Sequence, residues 1–262
     1  MEMTRTLAHV SDLHYGRDAA TERAAAQVRD ALVALRVDDV LVTGDVTDRG
    51  RAHEYETFER TFAPLRDRML VVPGNHDRLN DDAAAQMMSA RVEVVSRRGL
   101  HIVRADSTAP HNRGLLEGHG SLSAGDLDEI EEAVRSARPG SLVVLAMHHH
   151  PLPLPPEGIG ERLSNFLGWP NAAELHRGRE LIARLRGICD ILAHGHRHQE
   201  SASTLPGNDG RHLRVVNAGC TPDLGRVRIV KHVGGRVVSE AWLQTAPELG
   251  RTPARAPLPV AA

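Results

Sequence analysis

Short apolar runs alternate with amphipathic stretches along most of the chain. LAHVSD (7–12), DDVLVTGD (38–45), RMLVVPGNHD (68–77) and SLVVLAMHHH (141–150) each hold a block of Val, Leu, Ile or Ala too short for a helix, and each predicts a strand running into a turn. Between them, TERAAAQVRDALVALR (21–36) repeats apolar residues at Ala25, Val28, Leu32 and Leu35, the spacing of one helix face, with Thr21 as its N-cap. AHEYETFERTFAPL (52–65) predicts a second helix, stopped at Pro64. A weakly patterned helix at 81–89 and two short strands near 92–96 and 100–105 follow. Ser123 then caps an acidic-headed helix, SAGDLDEIEEAVRSA. Further on, the pattern predicts a helix over 172–186, a strand over 189–193, and late strands in HLRVVNAG, GRVRIVKH and RVVSEAWLQ. Strand–helix alternation with a strand-rich end predicts an α/β fold with much parallel or mixed sheet. The stretch from Pro151 to Pro170 is long for a loop and rich in Pro and Gly, as expected of a cap over a site.

Five of the apolar runs end in metal-type side chains: Asp12 and His14; Asp45; Asn75 and His76; His148; His196 and His198. In open α/β sheets, ligands bind beyond the carboxyl ends of strands, so residues far apart in sequence can converge there. Taken singly, each motif reads as turn chemistry or a solvated loop. Five coincidences at five strand ends do not.

Oxygen and nitrogen donors without thiolate suit Mn, Fe, Zn or similar ions. The set is too large for one tetrahedral ion and suits two ions roughly 3.5–4 Å apart.

The 262 residues fit one domain over 1–246, with a Pro/Arg/Ala-rich tail at 247–262 expected to be disordered. Aromatics make up only 3%, so Val, Leu, Ile and Ala must build the core. A formal charge of -2 argues against general nucleic-acid binding. Cys189 and Cys220 are too few for a disulfide framework and read as reduced, buried residues. The N-terminus lacks the apolar core of a signal peptide, and no run approaches a membrane span; a soluble cytoplasmic protein is expected.

In order, D-L-H, G-D-V-T-D-R-G, G-N-H-D, H-H-H-P and G-H-R-H resemble the five motifs of the calcineurin-like metallophosphoesterase superfamily, over residues 7 to about 220. The resemblance implies a four-layer α/β fold, two mixed β-sheets packed as a sandwich and flanked by helices. It also implies a centre of two metal ions, Mn2+ and/or Fe2+/Fe3+ with Zn2+ as a further option. Carried over residue by residue, Asp12, His14, Asp45 and His198 would hold one ion, and Asn75, His148 and His196 would complete the second, with Asp45 bridging. The Gly-His-x-His motif selects His196 and His198; the rival frame, His194 and His196, places Ala193 where the motif has glycine.

By the same resemblance, a hydroxide between the ions attacks phosphorus, His76 is the general acid, and the Asp48 carboxylate orients it. Arg49 is either a substrate contact or a surface residue. H-H-H-P-L-P, N-A-A-E-L and D-I-L-A-H-G-H-R-H-Q-E are similar to the bacterial class III cyclic-nucleotide phosphodiesterases, whereas V-V-N-A-G-C-T-P is closer to a general superfamily ending, and 106–123 matches no motif. The expected activity is hydrolysis of a small-molecule phosphodiester. A phosphomonoesterase or protein phosphatase of the same superfamily is the alternative, and a scaffold that has lost its chemistry is a third reading.

Overall fold

The computed structural model describes residues 3–114, 118–154, 174–207 and 210–245. Two sheets face each other. The first has five strands in the order β11-β10-β1-β2-β3: β1 (Arg5–Val10), β2 (Asp39–Thr43) and β3 (Met69–Val72) run parallel, and β10 (Arg226–Val233) and β11 (Arg236–Gln244) close one side antiparallel. The second has six, in the order β4-β5-β6-β7-β9-β8. Here β5 (Leu100–Ala105), β6 (Leu142–Ala146), β7 (Ile191–His194) and β9 (Leu213–Asn217) are parallel, with β4 (Val92–Arg97) and β8 (Ser201–Leu205) antiparallel at the edges.

Strand parity builds the layers. Along β1, Ala8 and Val10 face outward onto helices α1 (Ala19–Leu35) and α2 (Ala52–Thr61), where Val28, Leu32 and Phe58 cover them. Leu7 faces inward, meeting Leu41, Ile102, Val144 and Ala193 between the sheets. The outer face of the second sheet is covered by α3 (Ala124–Arg135) and α4 (Gly178–Leu185) through Leu127, Ile130, Leu181 and Leu185. This is the expected four-layer sandwich. Central strands buried on both faces carry unbroken apolar runs, as β2 and β6 do.

The differences from the sequence reading are local. The cap of α1 is Asp18, whose Oδ1 accepts from the backbone N–H of Ala20 and Thr21 at 2.9 and 2.8 Å, and the last turn closes on Arg36 in the left-handed region. The helix expected over 81–89 contracts to a 3-10 turn, Ala83–Gln86, and the described part of the helix expected over 172–186 begins at Gly178. β8 was not anticipated: SASTL is polar and largely exposed, and its pairing with β9 at the sheet edge makes it a strand. A four-residue helix, α5 (Thr221–Leu224), was also missed. Both cysteines are free and buried. Among the described residues, no helix is long and apolar enough to cross a membrane. Residues 155–173 and the tail from 246 lie outside the described residues, and so do most of the expected cap and all of the expected disordered tail.

Candidate metal centre

Every expected ligand sits just past the carboxyl end of a parallel strand. Asp12 and His14 follow β1, Asp45 follows β2, Asn75 follows β3, His148 follows β6, and His196 and His198 follow β7. Asp12, His14, Asp45 and His196 adopt positive φ, at 54°, 46°, 48° and 69°. Such conformations are costly for residues with a Cβ and gather at functional sites. Here the chain turns back sharply at each strand end and aims the side chain across the sandwich.

The turns are tied to one another. Asp12 N–H donates to the Gly44 carbonyl (3.0 Å), His14 N–H to that of Asp45 (3.0 Å) and Tyr15 N–H to that of Val46 (2.8 Å). The buried Asp77 carboxylate accepts from the N–H of Gly74 (2.8 Å) and Thr47 (2.8 Å) and from Thr47 Oγ1 (2.7 Å), locking the third loop to the second. Sequence reasoning gave Asp77 no role; its signal was a fourth polar residue in a tight turn, which motif matching had already accounted for. Glycines leave the space: a Cβ on Gly44 would collide with the His148 ring, one on Gly74 with Asp45, and one on Gly195 with Ser11 and Asp12.

The donors fall into adjoining groups. Asp12, His14 and His198 place ligand atoms within 4.8 Å of one another, as do Asp12, Asp45 and His148. His14 Nε2 and His198 Nε2 face each other at 3.3 Å, and His198 Nε2 lies 3.7 Å from Asp12 Oδ1. On the other side, Asn75 Oδ1 meets His148 Nε2 at 3.2 Å and His196 Nδ1 at 3.0 Å, and Asp45 Oδ2 lies 3.3 Å from His148 Nε2. Asp12 is common to both close groups, and Asp45 adjoins it on the His148 side.

This donor set fits two cations. Asp12 Oδ1 is buried without a hydrogen-bond partner, imidazole nitrogens converge on carboxylate and amide oxygens, and no thiol is among these seven residues.

The neighbouring histidines differ in how their rings are engaged, and His149 itself forms a close donor group with His148 and His196. His149 receives Ser107 at Nδ1 (2.8 Å) and donates through Nε2 to the Gly118 carbonyl (2.9 Å), so both its ring nitrogens are engaged. His148 turns Nδ1 to the Thr43 carbonyl at 2.7 Å and points Nε2 at the other candidate ligands, Asn75 and Asp45. His194 lies on β7 with Nδ1 against the Gly195 carbonyl (3.0 Å) and belongs to none of the close donor groups found among the described residues.

Burial dominates the protonation states. It pushes His14 down to about 3 and His194 to about 4, keeping both rings neutral. Burial lifts Asp12 to about 6, although the His148 and His198 charges oppose it. At Asp45 burial also favours the neutral acid, yet His148 and His76 hold the carboxyl well below the ordinary range.

His76 stands beside this set, its ring edge-on to His14 with centroids 4.8 Å apart. The contact expected from the Asp48 carboxylate is made by the Asp48 backbone instead: His76 Nδ1 donates to the Asp48 carbonyl at 2.8 Å. The carboxylate bonds Arg49 Nε at 3.1 Å and lies 3.7 Å from His14 Nδ1. The reason is the tight turn after Asp45, which presents its peptide oxygen to the ring. Arg49 itself is exposed.

The described residues of 106–123, where the sequence carries no recognisable motif, pack against side chains next to this site. Arg78, directly after Asp77, pairs with Asp106 and donates to Thr108 Oγ1 (2.8 Å), and Ser107 and Gly118 hold the His149 ring.

Comparison with known proteins identifies the family and the fold. Residues 5–200 match the family model described as calcineurin-like phosphoesterase. A 3',5'-cyclic adenosine monophosphate phosphodiesterase of Pseudomonas aeruginosa is 32% identical over 186 residues, 71% of this chain and 63% of that protein. A cAMP/cGMP dual specificity phosphodiesterase of Mycobacterium tuberculosis is 28% identical, over 83% of this chain and 69% of its own length. A glycerophosphodiester phosphodiesterase of Enterobacter lignolyticus is 28% identical over 76% of each. The chain therefore spans about two thirds of the first two relatives. Among solved structures, a purple acid phosphatase from yellow lupin seeds superposes with a TM-score of 0.63 at 13% identity, covering 93% of this chain and 54% of that one. A zebrafish dimetal phosphatase gives 0.59 at 12%, covering 92% and 99%. At such identities these two show the shared fold.

Proposed function

This chain belongs to the calcineurin-like phosphoesterase family, and from that premise we propose that it is a metal-dependent phosphodiesterase acting on a small-molecule diester. The observation that carries the reading is the convergence of two adjoining donor groups, joined through Asp12 and drawn from both sheets. In this reading Asp12, His14, Asp45 and His198 hold one ion, and Asn75, His148 and His196, with Asp45 shared, hold the other. Manganese, iron and zinc are all compatible with this oxygen–nitrogen set. Bound ions of this kind supply Lewis acidity and lower the pKa of water toward neutrality.

The chain's own groups do the rest. Two carboxylates among the ligands leave a loaded site positive and receptive to a phosphate anion. His76 Nδ1 faces a carbonyl, which only accepts, so the ring holds that proton permanently and Nε2 is the nitrogen that exchanges one. Burial acts to lower the His76 pKa, but the Asp45 charge and the Asp48 carbonyl outweigh it and raise the value above normal. Nε2 is thus the position from which this ring can supply the proton that a leaving alkoxide needs.

The diester preference is supported by the relatives named above, which are phosphodiesterases of cyclic nucleotides or glycerophosphodiesters. Two buried free thiols accord with a reducing, cytoplasmic compartment. The alternative, a monoesterase or protein phosphatase, draws on the G-D-V-T-D-R-G motif.

The manganese-loaded protein should be assayed on bis-p-nitrophenyl phosphate, p-nitrophenyl phosphate, 2',3'- and 3',5'-cyclic nucleotides, glycerophosphodiesters and a phosphopeptide. The proposal predicts higher kcat/KM for diesters; faster monoester or phosphopeptide turnover would replace it with the alternative.

A further inference from the structure

At the end of the sandwich away from the metal centre, the space between the sheets closes on a polar layer. Arg5, Asp39 and His232 share the inward parity of Leu7, Leu41 and Val230. Asp39 is fully buried and takes both Arg5 (3.1 Å) and Arg97. His232 stands opposite Arg5 in the β1–β10 ladder, where a register shift between Lys231 and His232 interrupts the pairing of β10 with β11. The His232 ring is 1% exposed, and neither of its nitrogens has a hydrogen-bond partner. Buried polar groups almost always have one, so the exception calls for an explanation.

His232 lines a cleft of about 710 Å³ that also holds Arg98 and Arg138. Both arginines are exposed, and among the described residues neither guanidinium has a carboxylate within salt-bridge distance. Asp38, the acidic residue of the cleft, is engaged by the Thr6 N–H (2.8 Å) and lies 3.8 Å from Arg5. An adjoining cleft of about 640 Å³ shares Arg138 and adds Arg236. The turn between β10 and β11 separates the two, packed so closely on Gly140 that a Cβ on Gly235 would strike that residue's backbone at 2.8–2.9 Å. Seven residues of extended chain separate Arg5 from Asp12, roughly 20 Å, so one small molecule cannot reach both ends.

We infer that this cleft is a second binding site, for a small molecule carrying a phosphate group. Arg98 and Arg138, both lining this cleft, supply guanidinium donors with no carboxylate partner among the described residues, the preferred partners of phosphate oxygens. His232 supplies a buried imidazole at the floor. The volume lies within the range of about 300–1,000 Å³ usual for small-molecule sites. Phosphate could arrive free or on an organic group.

Calorimetric titration of the manganese-loaded protein with AMP, inorganic phosphate and adenosine distinguishes these, with the Arg98→Glu/Arg138→Glu protein in parallel. Both substitutions are on the surface and remote from the metal centre, so binding at that centre is common to the two proteins. The expected result is an additional binding event for AMP in the wild type that weakens by about tenfold or more in the double variant, the size of a lost charge-assisted contact, with bis-p-nitrophenyl phosphate turnover unchanged. Inorganic phosphate showing the same loss would identify the free anion as sufficient. His232→Phe, which keeps a ring but removes both nitrogens, should also weaken that event. Identical isotherms in all three proteins, or adenosine binding as tightly as AMP, would overturn the inference. Binding here is read independently of turnover, so an inactive enzyme would refute the proposed function without touching this site.

Discussion

His76 donates through Nδ1 to a carbonyl, so a proton for the leaving group can come only from Nε2. His76→Ala is expected to keep its metal and lose roughly 10²–10⁴-fold in turnover on alkyl esters. The loss should be much smaller on p-nitrophenyl esters, whose leaving group hardly needs protonation; equal losses on both would remove His76 from the acid role.

A second prediction concerns His150, stacked on His196 with ring centroids 5.6 Å apart and pushed down to about 3 by burial, then by the neighbouring His194 and Arg197 charges. Its folded value lies below the unfolded value of 6.5, so between these the unfolded chain binds the extra proton. The stability it contributes is present above pH 6.5 and is lost as pH falls toward 3. Any stability advantage of wild type over His150→Gln in urea melts at pH 7 should therefore shrink at pH 4.5, by an amount of order 1–3 kcal/mol. An advantage that widens in acid would mean the ring is charged in the fold.

At this scale the sequence was informative about identity and less so about contacts. Asp12, His14, Asp45, Asn75, His148, His196 and His198 could be named because donors stood at strand ends in motif order. That His76 Nδ1 meets the Asp48 carbonyl and not its carboxylate was not legible, because a backbone direction depends on the turn.

Among the elements, the strand-end turns do the positioning, and small residues permit it. Gly74→Ala would drive a methyl into Asp45, and Gly195→Ala one into Ser11 and Asp12. Neither glycine has positive φ, so the effect is steric crowding rather than backbone strain. Both variants should fold yet bind less manganese, measured by elemental analysis after gel filtration; full occupancy would show that the ligand shell is looser than its packing implies.

Helix α3 offers a control away from the site. Ser123 Oγ accepts from Asp126 N–H at 3.1 Å while Asp126 reaches back to Ser123 N–H at 2.7 Å, so Ser123→Ala should cost about 1 kcal/mol in urea melts and leave activity unchanged.

The Ser123 cap and the buried strands were readable because local chemistry and tertiary role coincide there. β8 and the segment 106–123 were not. Their conformations come from partners distant in sequence: β9 for the first, Arg78 and His149 for the second.

For the whole molecule, seven candidate donors from two sheets meet at one end of the sandwich, so ions held there would fasten the sheets together as well as arm the site. A ligand that binds only the folded state stabilises it, by about 2.7 kcal/mol at a concentration one hundred times its Kd. Stripping the ions should lower Tm, and the shift should depend on manganese concentration. The sandwich itself was foreseeable from strand–helix alternation and the motif set. The polar layer at its far end was not, since Arg5, Asp39, Arg97 and His232 show no pattern until the strands are paired. The central claim is a two-ion centre that hydrolyses diesters. Its most direct test is the turnover of bis-p-nitrophenyl phosphate by metal-stripped protein titrated with manganese, with bound metal counted at each point. The account predicts no turnover in chelator and a rise to a plateau as the second equivalent binds; turnover in chelator, or a plateau at one equivalent, would contradict it.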